Sequence, residues 1–232
     1  MRNAVTFAAF TICSLCGVVQ ADIIYQFSTD RATSGTQHGY YHQYATTQVA
    51  PNVVAPTSEE LDDGDVGLER FSNRHWSGFS LISPNISLEL DESTFDSGYW
   101  NLTIEAEPGW QLNLDSLAFR SARGGDAGTR GYQLFAQVDG AAFAFGDTPI
   151  DSIANEFGTR GNPRPVTLDL SDAMYQGIES MTFRYYPLTD NTGRSIEFDG
   201  WTITGSVVPE PTAIAMLAAG LLGLLLFRRR RQ

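Results

Sequence analysis

Through the middle of the chain, apolar and polar residues alternate in short runs, with no long helical period. Trp100, Leu102, Ile104 and Ala106 alternate with Asn101, Thr103 and Glu105. After a turn at Glu107-Pro108-Gly109, Leu112 and Leu114 alternate with Asn113 and Asp115. Tyr132, Leu134, Ala136 and Val138 alternate with Gln133, Phe135 and Gln137. Val166, Leu168 and Leu170 form a further run, as do Met181, Phe183 and Tyr185. A period of two sends one set of side chains inward and the other outward, so each run predicts a strand. Asp139-Gly140 predicts a hairpin returning through Ala141 to Phe145. Asp199-Gly200 predicts a second hairpin, between Ile196 with Phe198 and Trp201 with Ile203. One helical turn is expected from Ser171 to Gln176, capped by Ser171-Asp172. The stretch from Asp30 to Asp65 reads as loops with short strands. Together these signals predict an all-β fold, a single antiparallel β-sandwich that is jelly-roll-like. The chain's 14 Phe, 9 Tyr and 4 Trp give such a core large apolar side chains.

The two ends read differently. Met1-Arg2-Asn3 carries one positive charge, Ala4 to Val19 is mostly apolar, and Val19-Gln20-Ala21 fits a signal peptidase site. Residues 1–21 are therefore expected to form a helical signal peptide, cut after Ala21 to leave Asp22 first. Both cysteines, Cys13 and Cys16, lie inside that peptide, and neither follows the small residue that lipidation requires. The expected domain, residues 22–208, then has no disulfide, no thiol nucleophile and no cysteine metal site.

At the other end, Ala213 to Phe227 is an unbroken apolar run of 15 residues, roughly 22 Å as a helix. That is short of the roughly 30 Å hydrocarbon core of a bilayer. Snorkelling by the flanking Arg228, Arg229, Arg230 and Arg231 offsets part of the difference. A transmembrane helix over 212–227 is expected, with the arginines cytoplasmic and the domain outside. The signal peptide demands the same orientation. Ala215, Ala219 and Gly223 recur every four residues, which suits a helix-packing face but is also ordinary membrane-helix composition.

Pro209-Glu210-Pro211, the apolar helix and the arginine cluster, in that order at the C-terminus, resemble the PEP-CTERM sorting signal. The resemblance implies a sorting tail at 209–232, with the PEP motif at 209–211. An exosortase, a membrane-embedded processing enzyme, would recognise it and remove it near that motif. It also implies a link to exopolysaccharide and biofilm matrix. Residues from Phe95 to Gly205 resemble a sandwich domain that recurs just ahead of such tails. The resemblance rests on Trp100-Asn101-Leu102-Thr103-Ile104, on Pro108-Gly109-Trp110-Gln111-Leu112-Asn113-Leu114 and on Phe119-Arg120-Ser121. It continues through Gln137-Val138-Asp139-Gly140, Thr182-Phe183-Arg184-Tyr185-Tyr186 and Phe198-Asp199-Gly200-Trp201-Thr202-Ile203. That family usually has Asp-Asn where this chain has Asp199-Gly200.

Charge narrows the partners. Residues 22–208 hold 26 of the 27 acids but only 10 of the 15 basic residues, a net −16 against −12 for the whole chain. Every basic residue is arginine. Such a surface repels phosphate backbones, so nucleic acid is not an expected partner. No Gly-x-Ser-x-Gly elbow or phosphate loop is present, and Gly124, Gly125, Gly128 and Gly131 read as a turn. His38 and His42 have helical ligand spacing, but Gly39 and Tyr40-Tyr41 argue against a helix, and His75 stands apart. Asp62, Asp63 and Asp65 could hold calcium, although a solvated turn is the plainer reading. The many acids make no one carboxylate pair informative for glycoside hydrolysis. Tyr40, Tyr41, Tyr44, Trp76 and Trp110 could stack on sugars or could close the ends of the core.

The expected function is that of a non-enzymatic cell-surface or matrix protein without a cofactor. It would be exported, anchored by 212–227, and processed through Pro209, Glu210, Pro211 and Arg228 to Arg231. The alternative is a carbohydrate-binding module for exopolysaccharide.

Overall fold

The computed structural model describes residues 22–27, 46–54, 67–72, 77–82, 88–96, 98–124, 129–154, 158, 162–190, 195–211 and 220. The strands are β1 (Asp22–Phe27), β2 (Thr46–Val49), β3 (Val53–Val54), β4 (Gly67–Ser72), β5 (Ser77–Ile82), β6 (Trp100–Ala106) and β7 (Trp110–Gly124). They continue with β8 (Arg130–Val138), β9 (Asp151–Ala154), β10 (Arg164–Asp169), β11 (Gln176–Ile178), β12 (Ser180–Thr189) and β13 (Ser195–Pro209). A 3₁₀ turn, Ala173–Tyr175, lies between β10 and β11. The fold is all-β and consists of two antiparallel sheets. The smaller runs β3-β6-β12-β8-β9. The larger runs β10-β7-β13-β1-β2, with β11 also on β7, and β5, then β4, also on β13.

The long pair β7–β13 organises the larger sheet. It runs from Ser195 opposite Gly124 to Pro209 opposite Trp110. Each flank is shared by shorter strands: β10 and β11 divide β7, while β5 and β1 divide β13. Two bulges interrupt the ladder, between Asp199 and Thr202 and between Thr204 and Gly205. At the first, Gly200 and Trp201 together oppose Phe119, and Gly200 takes φ +71°. At the second, Asp115 is the extra residue on β7. Each bulge shifts which residues face inward. Phe198 is followed inward by Trp201 and Ile203, and Leu114 by Leu117 and Phe119, all buried.

The inward faces share one core. Trp100 of the smaller sheet meets Trp201 edge-on at 4.9 Å and Phe198 at 5.0 Å, both from the larger sheet. Phe119 stacks on Trp201 at 4.9 Å, and Tyr132 on Tyr185 at 4.8 Å. Fully burying one large apolar side chain contributes on the order of 1.5–3 kcal/mol, so this cluster dominates the packing.

Three local expectations change. Asp199-Gly200 is a bulge within one strand, not a hairpin, because the ladder to β7 resumes at once with Thr202 opposite Ala118. Asp139-Gly140 is a tight turn, with φ 52° and 69°, but the chain returns through no strand. Phe143 packs onto the cluster on the outer face of the smaller sheet instead, and β9 takes the place beside β8. The turn at 173–175 lacks a side-chain cap from Asp172; Asp169 accepts the Ser171 N–H at 2.9 Å. Residues 1–21, 212–219 and 221–232, where the signal and tail helices are expected, lie outside the described residues.

Gly205 and Gly200 make separate demands. A Cβ on Gly205 would lie 2.1 Å from the Asn113 carbonyl oxygen, whereas one on Gly200 would meet nothing within 4 Å. Gly200→Ala is expected to cost about 1 kcal/mol through its left-handed φ alone. Gly205→Ala should cost up to about 3 kcal/mol, because backbone must move. Urea unfolding followed by tryptophan fluorescence separates them; equal midpoints would refute the close approach.

Candidate functional site

Two places on the fold bear on function: the end of β13 and the outer face of the smaller sheet. At the first, the Glu107-Pro108-Gly109 turn closes through Trp110 N–H to Glu107 O at 3.0 Å, with Gly109 at φ +86°. β7 starts there, and Pro209 is the last residue of β13 opposite Trp110. Glu210 then donates its N–H to the Gly109 carbonyl at 2.9 Å. The first two residues of the Pro-Glu-Pro triplet are thus tied to the folded domain. Pro211 follows, exposed. Proline has no N–H to continue the ladder, which explains why pairing ends here.

At the second place, period-two geometry turns Asn101, Thr103, Thr182, Arg184, Phe135 and Gln137 away from the core. Arg184 lies opposite Asn101 on one side and Phe135 on the other. Its guanidinium carbon sits 3.7 Å from the Tyr99 ring centre and 4.2 Å from that of Phe143. Arg184 Nε donates to Asn101 Oδ1 at 3.2 Å and Nη1 to the Tyr186 hydroxyl at 3.5 Å. Tyr186 donates its own hydroxyl to the Phe95 carbonyl. Phe95, Phe135, Tyr186 and Leu188 form a small second core beneath, bordered by Leu90, Tyr99 and Phe143. Phe145 packs edge-on against Phe95 at 6.0 Å yet is 53% exposed. Burial pushes the Tyr186 hydroxyl up to about 12, against the opposing pull of Arg184. Burial raises Tyr132 and Tyr185 further.

Several carboxylates serve the backbone. Asp139 Oδ1 accepts the N–H groups of Glu179 and Ser180 at 2.7 and 3.1 Å. Asp91 accepts from Thr94 and Ser93, and Asp190 from the Thr129 N–H. Asp147 holds the Ala144 N–H at 2.8 Å. Asp151 accepts the Tyr132 hydroxyl.

Of the residues singled out in the sequence, Pro209, Glu210 and Trp110 meet at the end of the β7–β13 ladder, with Trp110 half-buried. Ala21, Asp62, Asp63, Asp65, His38, His42, His75, Tyr40, Tyr41, Tyr44, Trp76 and Arg228 to Arg231 lie outside the described residues. Among the described residues, no group of three His, Cys, Asp or Glu could hold a metal, and no helix is long and apolar enough to cross a membrane. Only Gly220 of the expected membrane span is described. The outer-face cluster was not foreseen, because Ala141 to Phe145 read as a returning strand. The available signal was Phe135, an aromatic at a polar-phase position of β8.

Residues 207–231 match the PEP-CTERM protein-sorting motif. The chain therefore carries the sorting signal expected from its tail, that of an exported protein handled by a membrane exosortase. No curated protein matches the chain. Among solved structures, it is similar to an exo-β-agarase, at 12% identity and TM-score 0.34 over 72% of this chain. It spans 24% of that enzyme. It is also similar to the Stig cyclase Fisc from Fischerella sp. TAU, at 11% identity and TM-score 0.24, covering 69% of this chain and 86% of that one.

The raised Tyr186 value sets a pH dependence. A hydroxyl whose proton is held more tightly when folded contributes fully below its unfolded value of 10, and that stability is lost as pH rises through about 12. Tyr186→Phe should therefore lower the unfolding midpoint at pH 8, by about 1 kcal/mol for the lost hydrogen bond. It should also make the fall between pH 10 and 12 shallower than in the unaltered chain. An unchanged slope would mean that Tyr186 ionises freely in the fold.

Proposed function

We propose that this chain is a non-enzymatic protein of the cell surface or extracellular matrix, linked to exopolysaccharide or biofilm. The sorting motif at 207–231 carries the reading. In this account Ala21 ends the signal peptide, and cleavage there leaves β1 to begin at the new first residue, Asp22. Residues 212–227 hold the chain in the membrane until an exosortase acts near Pro209 to Pro211. Arg228 to Arg231 mark the cytoplasmic end.

Two features of the fold support a role without turnover. The described carboxylates of Asp91, Asp139, Asp147 and Asp190 are engaged in fixing turns and strand ends. The aromatic core is continuous across both sheets. The jelly-roll winding belongs to the same reading. β6 neighbours β12 in one sheet and β7 neighbours β13 in the other, so two chain segments cross between sheets side by side. Binding of a glycan is the second reading, favoured by the exposed Phe145, which meets Phe95 of the same outer-face cluster that Tyr99, Phe143 and Arg184 border.

Expression of the full chain in a host that carries an exosortase, followed by intact mass, tests the proposal. The expected product begins at Asp22 and ends near Pro209 to Pro211. Replacing Arg228, Arg229, Arg230 and Arg231 by Gln should leave the tail uncut. A product that runs to Gln232 in the unaltered chain would overturn processing and leave a plain membrane-anchored domain.

A further inference from the structure

We propose that the outer face of the smaller sheet binds a neutral polysaccharide, with Phe145 as the stacking ring and Arg184 as the hydroxyl-binding group. This deepens the exopolysaccharide link proposed above and rests on it.

The first observation is an aromatic ring held in water. Burying a phenylalanine is favourable, yet Phe145 stays 53% exposed on a fixed turn. The Asp147 carboxylate accepts the Ala144 N–H at 2.8 Å and the Gln137 side chain at 3.0 Å. Asp147 N–H returns to Ala144 O at 3.0 Å, and Gly146 takes φ +103°. The ring is therefore presented by a turn tied to the sheet, and little ordering remains to be done on binding.

The second observation is Arg184. Its two hydrogen bonds, to Asn101 and Tyr186, use two of five N–H donors. No acid among the described residues forms an ion pair with it. Two rings hold the guanidinium plane in place. The remaining donors are fixed in orientation and suit a pair of adjacent hydroxyls. Beside it lie the neutral polar groups a sugar also needs. Gln137 and Thr103 are opposite Thr182 in one row, with Thr103 and Thr182 hydroxyls 2.9 Å apart. An apolar ring face next to fixed amide, hydroxyl and guanidinium donors matches a pyranose, which has one apolar face and a rim of hydroxyls.

Charge decides between neutral and acidic polymers. The domain carries net −16, and Asp147 and Asp96 lie at this patch, the latter acting on Tyr186. One arginine against two acids at the patch, on a strongly acidic domain, repels a polyanion and leaves a neutral chain as the fitting occupant.

The full chain, purified in detergent, is run by affinity electrophoresis through gels containing hydroxyethylcellulose, galactomannan or dextran, and through gels containing alginate or polygalacturonate. At least one neutral polymer is expected to retard it, and the acidic ones are not. Phe145→Ala should weaken retardation about tenfold, the scale of one lost aromatic contact. Arg184→Gln should weaken it as well, whereas Thr167→Ala, exposed on β10, should not. Phe145 is exposed, so its variant keeps the fold and stays informative should Arg184→Gln unfold. Retardation by the acidic polymers alone, no retardation by any neutral polymer, or unchanged binding in Phe145→Ala would each overturn the proposal. The last would move the site elsewhere without touching the exopolysaccharide link. Tail removal is read separately by mass, so a processed chain that is not retarded loses this face and keeps its sorting.

Discussion

The pairing of β7 with β13 is the constraint on which the rest of the structure depends. Each strand carries one bulge, and the two offsets cancel. Gly200-Trp201 adds a residue to β13, and Asp115 adds one to β7, so the strands end flush at Gly124 with Ser195 and at Trp110 with Pro209. Between the bulges both strands present the other phase of their side chains. That is what brings Trp201 and Phe119 into one stack and lets Trp201 reach Trp100 across the core. Without the cancelling bulge, the segment after Gly205 would be out of register with β7, and its inward and outward faces would exchange. Gly205, which admits no side chain against Asn113, is the point where this restored register closes.

The same ladder sets the geometry of the tail. Because it runs to Pro209 and is extended by the Glu210 N–H, no free linker separates the domain from the start of the sorting motif. In the proposed function, the Glu107–Trp110 turn is then the end of the domain nearest the membrane. An enzyme that acts near Pro209 to Pro211 meets a strand end fastened to β7, so access to its peptide bonds competes with the last rungs of the sheet. Half-buried Trp110 stands at that end, opposite Pro209, where an indole is well suited to a headgroup boundary.

The tail was legible because its three chemical parts are consecutive in the chain, and each acts through local properties: stiffness, apolarity and charge. The strands β6, β8, β10, β12 and much of β7 and β13 were legible through their period of two. The bulges left a mark too, since the inward phase changes from Phe198 to Trp201 and from Leu114 to Leu117. Asp199-Gly200 was read as a hairpin because hairpin and bulge both need a left-handed residue. At Asp139-Gly140 both residues are left-handed and a turn forms; of Asp199-Gly200, only Gly200 is, and the strand continues. β1 lay hidden against the signal-like segment before it. The outer-face cluster was illegible because Phe95, Tyr99, Phe143, Phe145 and Arg184 come from segments that only the sheet brings together.

In the proposed functions, the sorting tail and the glycan-binding face lie toward opposite ends of β6. β6 begins at Trp100, beside Tyr99 and Asn101 of the ring cluster, and ends at Ala106, beside the turn that fastens Glu210. The five steps from Asn101 to Ala106 span roughly 17 Å of strand. If the turn at Gly109 faces the bilayer, the Arg184 cluster stands clear of the headgroups by about that length. A polymer lying across the outer face would then neither block the processing site nor be excluded by the membrane. The chain could hold a glycan both before and after its tail is removed, and release from the membrane would carry bound polymer outward rather than strip it away.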